Sequence, residues 1–103
     1  MSLFRTALRM QKNFIDPMKV AGSNELFWEL EANKRITISE FKHNIYIHIR
    51  QFECPEGKDY LVPTKKGIAL NIEQFEKLKQ VIHSVDLTLK DKVANMEPRP
   101  VDQ

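Results

Sequence analysis

Basic and aromatic side chains interleave through the middle of the chain: Arg35, Phe41 and Lys42, then Arg50 and Phe52, then Lys65 and Lys66. A cation takes a phosphate oxygen and releases condensed counterions, while an aromatic ring stacks on a base that no duplex is hiding. The two side-chain types together suit a flexible single strand of nucleic acid, and such contacts tolerate many sequences because every base has a π-face. A plainer explanation stands beside this one. Aromatic residues on strands mostly serve packing, and lysines on edges and loops often only guard solubility. The pattern alone leaves both open.

Other chemistries find less support. Cys54 is the single cysteine, which rules out a disulfide within this chain, and Pro55 after it suits a turn better than a nucleophile. His43, His48 and His83 show no metal-ligand spacing with it or with each other. No nucleophile–base pair, phosphate loop or metal motif is legible, so neither an enzyme nor a metal or cofactor is expected.

The elements that must position the cations and rings have a period of two. Isoleucines alternate with polar residues in Arg35-Ile36-Thr37-Ile38-Ser39, and more cleanly from Ile45 to Phe52. Ile45, Ile47 and Ile49 therefore point to one face, and Tyr46, His48, Arg50 and Phe52 to the other. Arg35 and Phe41 share a parity on the preceding strand. Lys42-His43-Asn44 forms a polar turn between the two, which predicts an antiparallel hairpin. Cys54-Pro55-Glu56-Gly57-Lys58 is a second turn. Tyr60-Leu61-Val62 is expected as a third strand ended by Pro63, and Ile68-Ala69-Leu70 as a fourth. Leu26 to Leu30, with Trp28, is a candidate edge segment.

A helix is expected over residues 71–90. Asn71 caps it and Gln74 completes the capping-box pattern. Ile72, Phe75, Leu78, Val81, Ile82, Val85 and Leu89 then line one side at helical spacing. One helix covers one face of a four-stranded sheet, which leaves the other face to water, a ligand or a second subunit. The helix's apolar side is wide for so thin a sheet, and that favours a helix-mediated homodimer over frayed ends.

At 103 residues the chain is long enough for one domain, and its 42% hydrophobic content is that of a globular protein. No apolar run approaches the roughly 20 residues of a membrane span, and no membrane partner is expected. A net charge of +2 requires any phosphate-binding charge to be local.

An ordered series of residues also resembles a known family. It runs from Lys34-Arg35-Ile36-Thr37-Ile38-Ser39-Glu40-Phe41-Lys42 through Ile47-His48-Ile49-Arg50-Gln51-Phe52 and Pro55-Glu56-Gly57 to Lys65-Lys66-Gly67-Ile68-Ala69-Leu70-Asn71 and Glu73-Gln74-Phe75. This is similar to the single-stranded-DNA-binding C-terminal domain of the RNA polymerase II transcriptional coactivator (positive cofactor four) family, over about residues 28 to 86. The resemblance implies an α+β fold: a curved four-stranded antiparallel sheet, then one C-terminal helix, paired into a homodimer through its helices. It implies binding of single-stranded or melted DNA with little sequence preference, nuclear localisation, and general transcription factors and activators as further partners. Phe41 and Lys42 match the family's hairpin aromatic and lysine, Arg50 its strand arginine, and Lys65 and Lys66 its basic pair before the glycine. Phe52 falls in the region of the family's tyrosine–tryptophan pair. With Lys34, Arg35 and Lys58 these make up the candidate nucleic-acid contacts, and Leu78, Ile82, Val85 and Leu89 the candidate dimer interface.

Three departures point to a weakened binder. Ser39 stands where the family often carries a cation, Asn44 where a second hairpin lysine is common, and Glu53 puts a carboxylate beside Phe52. The family's long Ser/Lys-rich regulatory region is not found either. Residues 1–24 instead read as an arm ending in the linker Ala21-Gly22-Ser23-Asn24, with 25–90 as the binding domain and 91–103 as a tail around Pro98 and Pro100. Residues 1–15 hold Arg5, Arg9 and Lys12 and no acid, the composition of a mitochondrial presequence. The alternatives are a basic or disordered arm. For the domain, the rival functions are a protein-interaction module with little nucleic-acid binding, or a mitochondrial single-strand-binding protein.

Overall fold

The computed structural model describes residues 13–97. The three cations of the presequence reading, and the part of the tail from residue 98 on, lie outside them. An antiparallel sheet comes first in the chain: β1 (Met18–Lys19), β2 (Leu26–Glu31), β3 (Lys34–Phe41), β4 (Asn44–Glu53) and β5 (Val62–Leu70), in that spatial order, followed by helix α1 (Ile72–Ala94).

The sheet is built on the β3–β4 hairpin, where the period-two pattern is longest. Pairing runs without a break from Lys34↔Gln51 to Phe41↔Asn44. This register puts Arg35, Thr37, Ser39 and Phe41 beside Arg50, His48, Tyr46 and Asn44, and leaves Ile36 and Ile38 beside Ile49 and Ile47 on the other face. On the isoleucine face Ile47 is buried, while Ile45 and Ile68 are exposed. The opposite face has a small core of its own, with Phe27 of β2 and Thr37 both buried.

The five strands differ from the expected four in two ways: the expected third and fourth are one strand, and Met18–Lys19 adds a strand before the candidate edge segment, which itself forms β2. First, Pro63 does not end a strand. Val62 through Leu70 is one strand at the sheet edge, where a proline's missing N–H costs no ladder bond. The register shifts between Arg50 and Phe52, so that Thr64, Lys65 and Lys66 bulge opposite Gln51. Thr64 closes the gap, its Oγ1 donating to the Gln51 carbonyl at 2.9 Å and accepting from the Lys66 N–H at 3.1 Å.

Second, the expected arm and linker belong partly to the sheet. Met18 and Lys19 pair with Phe27 and Leu26, and the Ala21-Gly22-Ser23-Asn24 stretch is the turn between the two strands. The Val20 N–H donates to the Glu25 carbonyl at 3.0 Å, Ser23 Oγ caps the turn by accepting from the Glu25 N–H at 3.1 Å, and Gly22 adopts φ +77°. Trp28 Nε1 also donates to the Ile15 carbonyl at 2.8 Å, tying the preceding segment to β2. The sheet thus begins at Met18 and not at the expected boundary near residue 25.

Helix α1 starts one residue after Asn71, where the capping pattern places it, and continues to Ala94, beyond the expected end near residue 90. Glu73 in the first turn and Lys92 in the last complement the helix dipole. Lys79 pairs with Glu76 at 3.2 Å and Lys90 with Asp86 at 3.0 Å, each acid N-terminal to its base. Asn95 closes the end, its backbone and side-chain N–H groups both donating to the Asp91 carbonyl. On the apolar side of the helix Ile82, Val85 and Leu89 are exposed, and Leu78 is half-buried.

The β3–β4 turn has two central residues rather than three. Lys42 and His43 adopt φ of 51° and 66°, the left-handed pair a two-residue hairpin needs and a position where glycine or asparagine is usual. A side chain there is strained, so His43→Gly should raise stability by about 0.5–1 kcal/mol after the added freedom of the unfolded chain is counted. Urea denaturation checks this value.

Candidate nucleic-acid interface

The cation-bearing face of β3 and β4 poses an electrostatic problem. Arg35 and Arg50 are direct cross-strand partners, and like charges so placed repel. The two side chains turn away from each other. Arg35 lies between two rings, its Cζ 4.0 Å from the centroid of Phe27 and 4.8 Å from that of Phe52. Arg50 reaches the other way, and its Nη1 donates to the Thr64 carbonyl at 2.9 Å. The guanidinium of Arg35 is stabilised by the negative ring faces, each contact contributing about 0.5–1 kcal/mol or more where water is excluded. Its Nε is enclosed without a hydrogen-bond partner.

Arg50 can lie across β5 because its partner there is Gly67. A Cβ at that position would come within 2.7 Å of the Cα, Cβ and Cγ of Arg50. The glycine that opens the Gly67-Ile68-Ala69-Leu70 stretch is therefore required by close approach of a neighbouring strand, and its role is steric.

Around these two arginines a groove of about 860 Å³ opens on this face, with Arg35, Ser39, His48, Arg50, Phe52 and Lys65 among its walls. Glu25 and Glu53 line it as well. The acid beside Phe52 is thus among the residues that line the groove, as is Glu25. Within the groove Ser39 Oγ and His48 Nε2 are hydrogen-bonded at 2.8 Å, and the Tyr46 ring stands 6.4 Å from the His48 ring, centroid to centroid.

The hairpin tip extends the same face. Phe41 has the parity of Arg35 and is 62% exposed, so its ring is free to stack, and Lys42 Nζ lies 5.3 Å from its centroid. Lys65 and Lys66 project from the β5 bulge, both exposed. The structure thus brings Arg35, Phe41, Lys42, Arg50, Phe52 and Lys65 toward one face, with Lys66 at its edge. It does not bring Lys34 or Lys58 there. Lys34 has the parity of Ile36 and pairs with Glu31 at 3.4 Å. Lys58 sits in the second turn, its N–H bound to the Pro55 carbonyl.

Phe27, Thr64, Glu25 and the Ser39–His48 pair are the parts of the site that were not expected. Parity already placed His48 on this face, and Ser39 has the parity of Arg35, so that pair had a visible signal. Phe27 lies in β2, the candidate edge segment, and Thr64 in the β5 bulge, and periodicity gives no sign that either reaches the site.

An antiparallel sheet with rings and cations along one open groove defines a binding module of the sheet-surface kind, not an enclosed reaction centre. The comparison with known proteins agrees. Residues 28–81 match the family described as Transcriptional Coactivator p15 (PC4), and the chain belongs to that family. An RNA polymerase II transcriptional coactivator of Drosophila melanogaster is 30% identical over 76 residues, covering 74% of this chain and 67% of its own. A Neurospora crassa relative is 39% identical over 64 residues, 62% of this chain, but this chain spans only 36% of its length. Among solved structures, MoSub1 in complex with single-stranded DNA aligns with a TM-score of 0.66 at 26% identity, over 82% of this chain and 95% of that one.

Gly67→Ala tests the packing of the groove wall. The clash falls partly on backbone and cannot be relieved by a side-chain rotation alone, so a loss of about 1–3 kcal/mol in unfolding free energy is expected, measured by urea denaturation.

Proposed function

We propose that this chain binds single-stranded or melted DNA through the β3–β4 groove face, with little sequence preference, and acts in the nucleus as a transcriptional coactivator. The observation that carries this reading is the gathering of Phe41, Lys42, Arg50, Phe52 and Lys65 on a single sheet face, in a fold shared with a protein solved on single-stranded DNA. The role is one of binding, not catalysis. Rings take base faces, cations take phosphates, and the lack of base-edge readout leaves sequence preference weak. General transcription factors and activators are the further partners this role implies.

Binding is weaker than a fully basic groove would give. Glu25 and Glu53 offset part of the charge, and Ser39 and Asn44 supply none. Each phosphate contact that is missing lowers the salt slope by about 0.7 for a single strand.

Replacing Phe41 and Lys42 together by alanine should weaken binding of an oligo(dT) by at least about tenfold, since one stacked base alone is worth about 1–3 kcal/mol. Fluorescence anisotropy across a salt series measures this, with circular dichroism to verify the fold. An unchanged affinity, or equal affinity for duplex, would favour a protein-interaction module instead.

The protein pairs with a second copy through α1, and the exposed stripe of Ile82, Val85 and Leu89 supports this arrangement. Ile82→Asp with Val85→Asp should convert a dimer to a monomer in sedimentation velocity. Monomeric wild-type protein at tens of micromolar would contradict it.

A further inference from the structure

The hydrogen bond between Ser39 and His48 lies inside the groove, at the position where the family resemblance led us to expect a lost cation. We propose that His48, oriented by Ser39, is an additional nucleic-acid contact that supplies a phosphate-binding charge when its ring is protonated. The proposal rests on the groove being the binding face.

The chemistry follows from the donor count. A neutral imidazole has one N–H and one bare nitrogen, and a serine hydroxyl has one O–H to give. Where Nε2 is bare, the 2.8 Å contact uses up the Ser39 proton, and the hydroxyl has nothing left for a ligand. Protonation reverses that bond. Nε2–H then donates to Ser39 Oγ, and the Ser39 O–H is released to turn toward an acceptor. The groove gains one positive charge and one free hydroxyl donor in a single step. Phosphate oxygens are acceptors only and carry the complementary charge, so they are the group this pair would take.

The surroundings favour such a role. Tyr46 and Arg50 flank His48 on β4, and Thr37 of β3 and Ala69 of β5 are its cross-strand partners. The charged groups around the groove are Arg35 of β3, Glu25 before β2, Arg50 and Glu53 of β4 and Lys65 of β5, while Glu29 of β2 is the strand-register partner of Arg35. Arg35 and Arg50 are each engaged, one by rings and one by a carbonyl. A polyanion entering between them favours the imidazolium over the imidazole. By linkage, the protonated protein binds that polyanion more tightly, and the gain grows as pH falls.

The test is the affinity of the whole chain for oligo(dT) at pH 7.5 and pH 5.5, with wild type, His48→Gln and Ser39→Ala. The wild type should bind roughly fivefold more tightly at the lower pH, the scale of one exposed ion pair, and its salt slope should steepen by about 0.7. His48→Gln should lose this pH-dependent gain while still binding. Ser39→Ala should keep a smaller gain, and Ser39→Thr should restore the full one, a pattern that a merely structural serine would not produce. His43→Gln, in the hairpin turn, should leave the gain in place. Thermal melts establish that each variant is folded at both pH values. If His48→Gln and wild type bind with the same pH profile, the inference fails and the groove reading stands. If no variant and no wild-type sample binds at any pH, the groove reading itself falls, and this inference with it.

Discussion

The uninterrupted register between β3 and β4 is the constraint on which the rest depends. From Lys34↔Gln51 to Phe41↔Asn44 every residue has a fixed partner, and a slip by one residue would exchange the two faces completely. The isoleucines then would meet water and ligand, and the arginines would enter the apolar side. Because Ile36, Ile38, Ile47 and Ile49 resist that exchange, the side chains between them are held on a common face whatever their own preferences. Burial on one side of the hairpin thereby positions chemistry on the other. The left-handed turn at Lys42 and His43 belongs to the same constraint, since a two-residue connection is what brings Phe41 opposite Asn44.

Holding cations together on one face creates repulsion, and the fold answers it locally. Arg35 is turned between Phe27 and Phe52, and Arg50 is fastened to the carbonyl of Thr64 across a strand that carries glycine where a side chain would collide. Both arginines are therefore ordered before any ligand arrives, which limits the entropy lost on binding. Lys42, Lys65 and Lys66 are exposed and are the cations with freedom to follow a phosphate chain. The groove combines a centre of engaged arginines with an exposed basic rim, and Glu25 and Glu53 are among its lining residues.

Much of this was legible in the sequence because alternation is a strong signal wherever one face is buried. The two-faced hairpin, the shared parity of Arg35, Phe41, Arg50 and Phe52, and the start of the helix after Asn71 all follow from local pattern. Less was legible where geometry departs from a simple period. The Met18–Lys19 strand is too short to have a period, and its pairing is decided by the turn at Gly22 and by the Trp28 bond to Ile15. Pro63 resembles a strand end, yet an edge position and a bulge accommodate it. Lys34 and Lys58 fit the composition of the site but are not among the residues that line the groove: Lys34 has the parity of the isoleucines, and Lys58 sits in the second turn. The Phe27–Arg35–Phe52 stack joins residues from three strands, and no linear pattern announces it.

The central claim is that one face of the β3–β4 hairpin, and not the other, receives single-stranded nucleic acid. Amide chemical-shift mapping of labelled protein against a short oligo(dT) tests it most directly. The account predicts that perturbations concentrate on Phe41, Lys42, His48, Arg50, Phe52 and the Thr64–Lys66 bulge, with Ile36, Ile38, Ile47 and Ile49 responding less. Perturbations centred on the isoleucine face or on α1, with the groove residues unmoved, would contradict it.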